Sequence, residues 1–509
     1  MPLPSSSRRS FLGGSLGALA ALAGTGQSGS QLAGPGQARA DEPQVIGGTP
    51  SRSIRRPRAT SGDRRVEPVW DERLTVTVGP RDADIVGTSH KALQAAINYV
   101  AGLGGGTVHI LPGDYQLRGS LWMKSNVRLL GSGLDAVLNK HPSHHTRLAV
   151  DSDWYDQEIT LADAAGFEVG DSVLLRTKNP HNGGQEVAKR TLVARSGNRF
   201  KLDKALRQNY WQMGDSTCWS LFPLVTGEEI ENVTIENLCL DGNRANNAHL
   251  DGNYGGCLFF QDCNDLVFRK VIARNNHGDG LSWQICHDVL VEDCHSHDNA
   301  DLGLHPGSGS QRPVIRNNRI ERNRIGIFFC WGVQYGVAEN NQLDGNTYSI
   351  SLGHRDTDNL VRNNTIKNSG EVAVLFRPER GPTFCAHRNV IEGNTCLNSG
   401  PANAAAIDVQ GGTELVTIRG NRIQETRGSR AAGGHSARQR DQKHHTGREH
   451  HRRVCPDRRP GLVNPAALWP RGRVFPYTTG SWPFGNLRRT CGVKDEPKVG
   501  AKSPWRWVC

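Results

Sequence analysis

His305, in Leu304-His-Pro-Gly-Ser-Gly-Ser-Gln-Arg312, is the residue whose type best suits proton transfer at neutral pH. Arg312, Arg355 and Arg377 could each grip a carboxylate with two parallel N–H donors. Asp279, Asp356 and Asp358 could act as acids or hold Ca²⁺, although Asp in Gly-Asp-Gly and Arg-Asp-Thr-Asp corners also makes turns. Ser282, Gln284, Ser351 and His354 offer hydrogen bonds, and Phe328 and Trp331 offer flat apolar faces of the kind on which sugar rings stack. These residues are scattered over about a hundred positions, so a periodic scaffold has to gather them.

The sequence supplies that period. Gly280-Leu-Ser-Trp-Gln284, Gly303-Leu-His-Pro-Gly307, Gly326-Ile-Phe-Phe-Cys330, Ser349-Ile-Ser-Leu-Gly353 and Ala373-Val-Leu-Phe-Arg377 begin 23, 23, 23 and 24 residues apart, and Cys257-Leu-Phe-Phe-Gln261 extends the series upstream. A second column ends in asparagine: Val314-Ile-Arg-Asn-Asn318, Val337-Ala-Glu-Asn-Asn341 and Leu360-Val-Arg-Asn-Asn364, continued by Val390-Ile-Glu-Gly-Asn394 and Thr417-Ile-Arg-Gly-Asn421. Short β-branched runs with Gly and Asn at the corners, and no apolar spacing of three and four, predict strands rather than helical repeats. The expected fold is all-β, a right-handed parallel β-helix with about 23 residues per rung. Asn318, Asn341 and Asn364 are expected to form a ladder at one bend and to take the left-handed conformation there.

Alternation along the strands then sorts the side chains. Leu281, Leu304, Ile327, Ile350 and Val374 should point inward, as should Phe329. Ser282, His305, Phe328, Ser351 and Leu375 should form an outward row, followed by Gln284, Gly307, Cys330, Gly353 and Arg377. Asp279, Asp301, Arg324, Trp331, His354, Arg355, Asp356 and Asp358 should lie at the flanking bend. Such a strip, roughly 20 Å long at the spacing of stacked strands, suits an extended polymer.

Upstream, His90-Lys-Ala-Leu-Gln-Ala-Ala-Ile-Asn-Tyr-Val100 has helical spacing, and Gly104-Gly-Gly-Thr-Val-His-Ile-Leu-Pro-Gly113 and Val127-Arg-Leu-Leu-Gly-Ser-Gly133 follow as strands. Residues 73–140 should therefore hold a helical cap and the first rungs. Residues 141–225 break the rhythm with runs at Glu158, Ser172, Arg190 and Arg199 that read as antiparallel strands, a β-rich insertion packed on the early rungs. Residues 226–427 are the coil proper.

The order of cap helix, closing strand and asparagine-cornered rungs resembles the pectate-lyase-like superfamily of β-helical, carbohydrate-active proteins, over about residues 75–425. The resemblance implies an acidic, uronate-containing polysaccharide as partner. It also implies a groove in which His305, with Arg312, Arg355 or Arg377, could remove a proton beside a neutralised carboxylate, the chemistry of a polysaccharide lyase. The superfamily also contains C5-epimerases, glycoside hydrolases and non-catalytic surface proteins. Gly278-Asp-Gly280 is present here, but neither the paired aspartates nor the Gly-His-Gly of polygalacturonase-like hydrolases is. The Asp-Pro-His-Asp box of alginate epimerases would fall on His305-Pro-Gly-Ser308, where only the proline agrees.

The ends read differently. Residues 1–40 carry Ser7-Arg-Arg-Ser-Phe-Leu12, a small-residue apolar run and Ala38-Arg-Ala40, a twin-arginine signal that predicts export to the periplasm or beyond. Residues 41–72 read as a disordered linker. Of the chain's 61 Lys+Arg and 50 Asp+Glu, residues 428–509 carry 17 and 5, leaving the rest almost neutral. No basic face is therefore expected on the coil, and neither nucleic acid nor membrane insertion is an expected partnership. The period stops inside a rung near Arg427, which suggests a disordered basic tail or a lost reading frame. The 12 cysteines have no metal-binding spacing and read as buried, reduced thiols, with Cys263 and Cys286 on adjacent rungs. No cofactor beyond the Ca²⁺ that Asp356 and Asp358 could hold is implied, and a monomer is expected.

Overall fold

The computed structural model describes residues 67–401 and 404–427. The twin-arginine segment, most of the linker and the basic tail lie outside the described residues. Residues 67–72, expected as part of the linker, are among the described residues. Glu67 accepts hydrogen bonds from Trp70 Nε1, Thr234 Oγ1 and Arg269 Nη2, and these contacts hold residues 67–72 against the coil.

The chain forms a right-handed parallel β-helix. One face is a nine-stranded parallel sheet running from Leu121–Trp122 through Val225–Glu228, Gly256–Gln261, Asp279–Gln284, Leu302–Gly307, Ile325–Phe328, Tyr348–Leu352 and Val372–Phe376 to Ile407–Val409. The rest of each rung belongs to a 20-stranded sheet, in which pairs such as Val314–Arg316 and Arg319–Glu321 are separated by a sharp corner. The period of the sequence becomes register here: Leu281 pairs with Leu304, Ile327 with Ile350, and Ile350 with Val374. All five of the predicted inward residues, and Phe329, are fully buried in one continuous core. Withdrawing each such side chain from water contributes about 1.5–3 kcal/mol.

The corners are closed by amides. Asn318 Nδ2 donates to Asn341 Oδ1 at 2.9 Å, Asn341 to Asn364, Asn364 to Asn394 and Asn394 to Asn421 at the same distance. The positive φ does not fall on these ladder residues. It falls one position earlier, on Asn317, Asn340 and Asn363 (φ 58°, 56° and 53°), so the first amide takes the strained turn and the second points inward to stack. A parallel ladder links Asn299, Asn323 and Asn346.

At the N-terminal end, the helix His90–Gly102 buries His90, Leu93, Ala96, Ile97 and Val100 against the first rungs. Residues 145–219 form a six-stranded antiparallel sheet with its own apolar cluster, including Leu148, Ile159, Phe167, Phe200, Tyr210 and Cys218. This insertion meets the coil through Leu174 and Leu221, which pack with Leu250 and Tyr254 of the segment 243–255. The nine described cysteines are buried free thiols. No described helix is long and apolar enough to cross a membrane.

Candidate functional site

The outward row forms. Ser282 pairs with His305, Phe328 with Ser351 and Ser351 with Leu375 in register, and the rings of His305 and Phe328 lie 5.4 Å apart. The row is nevertheless not open. Ser282 and Ser351 are fully buried, Gln284 and Phe328 are 5% exposed and His305 is 4% exposed. Two pieces of chain cover them. The segment 243–255 crosses one end as a strap, and Ser282 Oγ donates to Gly252 O at 3.2 Å. Glycine is required at 252, because a Cβ there would run into the Asp279 carboxylate. At the other end the Arg377 side chain folds back over the row.

Asp279 belongs to the strand Asp279–Gln284 rather than to a bend, and its side chain is fully buried beside His305. Its Oδ2 stands 2.7 Å from His305 Nδ1, and its Oδ1 accepts the Leu302 N–H at 3.2 Å. Ser282 Oγ lies 3.2 Å from the same Nδ1. One arrangement of protons satisfies all of these contacts: Nδ1–H donates to Asp279, and the Ser282 hydroxyl donates to Gly252. Nε2 is then left with its lone pair and with no hydrogen-bond partner among the described residues. Ser282 and Asp279 therefore meet the same nitrogen, so the three do not form a nucleophilic serine relay. They leave an imidazole oriented by a carboxylate. Burial raises the Asp279 carboxyl, and the neighbouring His305 pulls it back.

Arg377 approaches from the other side of Phe328. Its guanidinium carbon lies 4.4 Å from the Phe328 ring centre, Nη1 donates to Ser351 Oγ at 2.8 Å, and Nη2 donates to Phe329 O at 2.9 Å and to Asp356 Oδ2 at 3.2 Å. An imidazole and a guanidinium thus both lie against one aromatic ring. Beyond them stands a second cluster. Trp331 and His354 meet edge to face with centres 4.3 Å apart, and Phe384 lies 5.1 Å from His354. Arg355 and Arg380 stack on Phe384 at 4.3 and 4.2 Å. Neither arginine has an acidic partner among the described residues. Glu379 accepts the His354 N–H at 2.6 Å, lies 3.2 Å from its Nδ1 and stands 3.9 Å from Arg377 Nε. Burial lowers the His354 imidazole. Gln284 Nε2 is buried without a partner among the described residues.

Three expected members do not join. Arg312 lies seven residues past His305, at a corner (φ 55°), and pairs through two contacts of 2.7 Å with Asp288. Asp358 sits in the same corner column (φ 65°) and is gripped twice by Arg388. Asp356 is fully buried and caps backbone. It takes the N–H groups of Gly332 and Val333 at 3.0 Å and of Gly353 at 2.9 Å, besides Arg377. Burial pushes its carboxyl up to about 7. The lone pairs that would bind Ca²⁺ are thus used by protein donors. No group of three or more acidic, His or Cys side chains among the described residues could hold a metal ion. The flanking residues also divide: Asp279, Asp301 and Arg324 enter the face, whereas Trp331, His354, Arg355 and Asp356 leave it.

Phe384, Arg380 and Glu379 were not among the expected residues. They sit on a lengthened rung, in which the ladder step from Asn359 to Asn389 is 30 residues instead of 23. That extra length is visible in the sequence as the loop around Pro378-Glu-Arg-Gly381. The strap, likewise, replaces a tight corner upstream of Cys257.

Residues 226–376 match the family model described as a right handed beta helix region. No curated protein matches the chain. Similar solved structures include an exopolygalacturonase of Thermotoga maritima (14% identical, covering 69% of this chain and 81% of that one, TM-score 0.43). They also include an alginate lyase of Paenibacillus (12%, 69% and 95%, TM-score 0.40) and the A-module of the mannuronan C-5 epimerase AlgE6 of Azotobacter vinelandii (17%, 66% and 96%, TM-score 0.32).

Proposed function

We propose that the nine-stranded face is a groove for an acidic polysaccharide and that its chemistry is β-elimination. His305 Nε2 takes the C5 proton of a uronate whose carboxylate is neutralised by Arg377. The C5–H electrons form the C4–C5 double bond, the C4–O bond breaks, and the departing alkoxide takes a proton from water. The observation that carries this reading is the Asp279–His305 contact, which fixes the tautomer with Nε2 free, one ring away from a guanidinium. The arginines on Phe384, without acidic partners among the described residues, extend positive charge along the path of an anionic chain. Export by the twin-arginine route, to the compartment where such polymers occur, belongs to the same proposal and rests on Ser7–Leu12. A fusion of residues 1–40 to a folded reporter tests it.

Purified protein incubated with polygalacturonate, alginate or other polyuronates should raise the ultraviolet absorbance of unsaturated uronate ends, and His305→Ala should abolish the rise. A C5-epimerase would instead change residue configuration without chain cleavage, and a hydrolase would cleave without absorbance. One observation favours a second reading, glycan binding without turnover: His305 is 4% exposed under its strap, so reaction needs that strap to lift. Retention on a polyuronate column with no altered product would establish the binding reading and defeat the lyase.

A further inference from the structure

The six-stranded insertion carries a cavity of about 220 Å³ that is separate from the groove. A first loop contributes Trp154, a hairpin contributes Asn179 and His181 from its loop and Glu186 from its second strand, and a third loop contributes Arg207 and Asn209. The Trp154 N–H donates to Asn209 Oδ1 at 3.0 Å, which ties the first loop to the third. Trp154 and Tyr155 are 55% and 61% exposed, edge to face with centres 5.9 Å apart. Asp153 braces this pair, accepting from Trp211 Nε1 at 2.8 Å and from the Tyr155 hydroxyl at 3.3 Å. Large aromatic rings held side by side in solvent mark binding surfaces more often than cores.

The polar wall has a matching logic. Asn179 Nδ2 donates to Glu186 Oε1 at 2.6 Å and Asn179 Oδ1 accepts the His181 N–H at 2.9 Å, so the carboxylate is positioned before any ligand arrives. Arg207 is exposed and has no acidic partner among the described residues. An indole face for C–H groups, a fixed carboxylate and amides for hydroxyls, and an unpaired guanidinium for a carboxylate are the recognition set of a sugar acid. The volume lies below the roughly 300–1,000 Å³ of pockets for drug-sized ligands, so it suits one sugar unit.

We propose that this cavity is a second carbohydrate site, binding a single uronate unit. It deepens the acidic-polysaccharide reading, on which its choice of polymer rests. A site on the insertion would hold the polymer near the groove and raise its local concentration there.

The test is calorimetric titration of the full chain with galacturonate, mannuronate and glucuronate and with the corresponding neutral sugars. One uronate should bind saturably, its neutral counterpart at least tenfold more weakly. Trp154→Ala and Arg207→Ala should each weaken binding tenfold or more without changing Tm, since both side chains are exposed. Absence of binding, equal affinity for the neutral sugar, or full affinity in Trp154→Ala would overturn the proposal. Uronate binding without polyuronate turnover would sink the groove chemistry and leave this site standing. Turnover without monosaccharide binding would do the reverse.

Discussion

Replacing Asp279 by asparagine tests the proposed base at one atom. Both carboxylate oxygens are committed, Oδ1 to the Leu302 N–H at 3.2 Å and Oδ2 to His305 Nδ1 at 2.7 Å. The side-chain amide of an Asp279→Asn variant can serve only one of them with its oxygen. If it keeps Leu302, whose backbone proton cannot move, its NH₂ faces Nδ1, which must then accept, and the imidazole proton passes to Nε2. The outward nitrogen is no longer a base. Restoring the competent tautomer would turn the NH₂ against the Leu302 N–H, leaving a buried donor unsatisfied at about 1–3 kcal/mol. The imidazolium formed on proton abstraction also loses a charge-assisted partner, about 1.5–3 kcal/mol. Together these raise the barrier by about 3–6 kcal/mol, or roughly 10²–10⁴ in kcat. KM should hardly move, because both Asp279 oxygens are taken by Leu302 and His305. The assay is initial rate by ultraviolet absorbance on the polyuronate that wild type cleaves, with thermal unfolding as a control for folding. An Asp279→Asn protein that keeps more than a tenth of wild-type kcat would refute the assignment of His305 Nε2 as base.

Asn341→Ala removes a fully buried side chain that makes four hydrogen bonds, two as donor and two as acceptor. A loss of about 2–6 kcal/mol in denaturant unfolding is expected, and a loss under about 1 kcal/mol would show the ladders to be passive. Arg377→Ala should leave Asp356 buried without its cation and destabilise the chain by about 3–5 kcal/mol. Arg377→Lys should recover much of that stability but not substrate affinity, measured as KM. The strap should respond to pH. The Asp301 carboxylate, bonded to the His249 imidazole, raises the affinity of that ring for its proton, so the tether is complete at low pH and is lost as pH rises through the raised value. Amide exchange in 248–255, corrected for intrinsic rate, should therefore accelerate at alkaline pH in wild type. The effect should be absent in His249→Ala, and identical behaviour of the two would discard the tether.

Strand positions, the inward column and the outward row were all legible, because a period of 23 residues combined with alternation leaves no freedom in which side chains meet. Arg312 and Asp358 were misplaced for a definite reason. Alternation holds only along a strand, and both residues lie past a left-handed corner that turns them onto another face, where Asp288 and Arg388 neutralise them. Openness was not legible either. Whether a row is exposed depends on what crosses it, and neither the strap nor the fold-back of Arg377 follows from the repeat. Glycine at 252 is the one local sign that the strap comes close. Phe384, Arg380 and Glu379 escaped notice because they occupy the rung that departs from the period, so aligning repeats passes over them.

Because the row is assembled one residue per coil, the separation between His305 and its cation is not continuously adjustable. It changes only in steps of a whole turn, about 4.8 Å. Excising one complete turn between the Ile320 and Leu343 equivalents would keep the asparagine stacks in phase while removing Phe328 and drawing Ser351 up beside His305. On the proposed groove chemistry, reach along a polymer would be counted in repeats, and gain or loss of a turn would alter which unit meets His305 without redesigning either end.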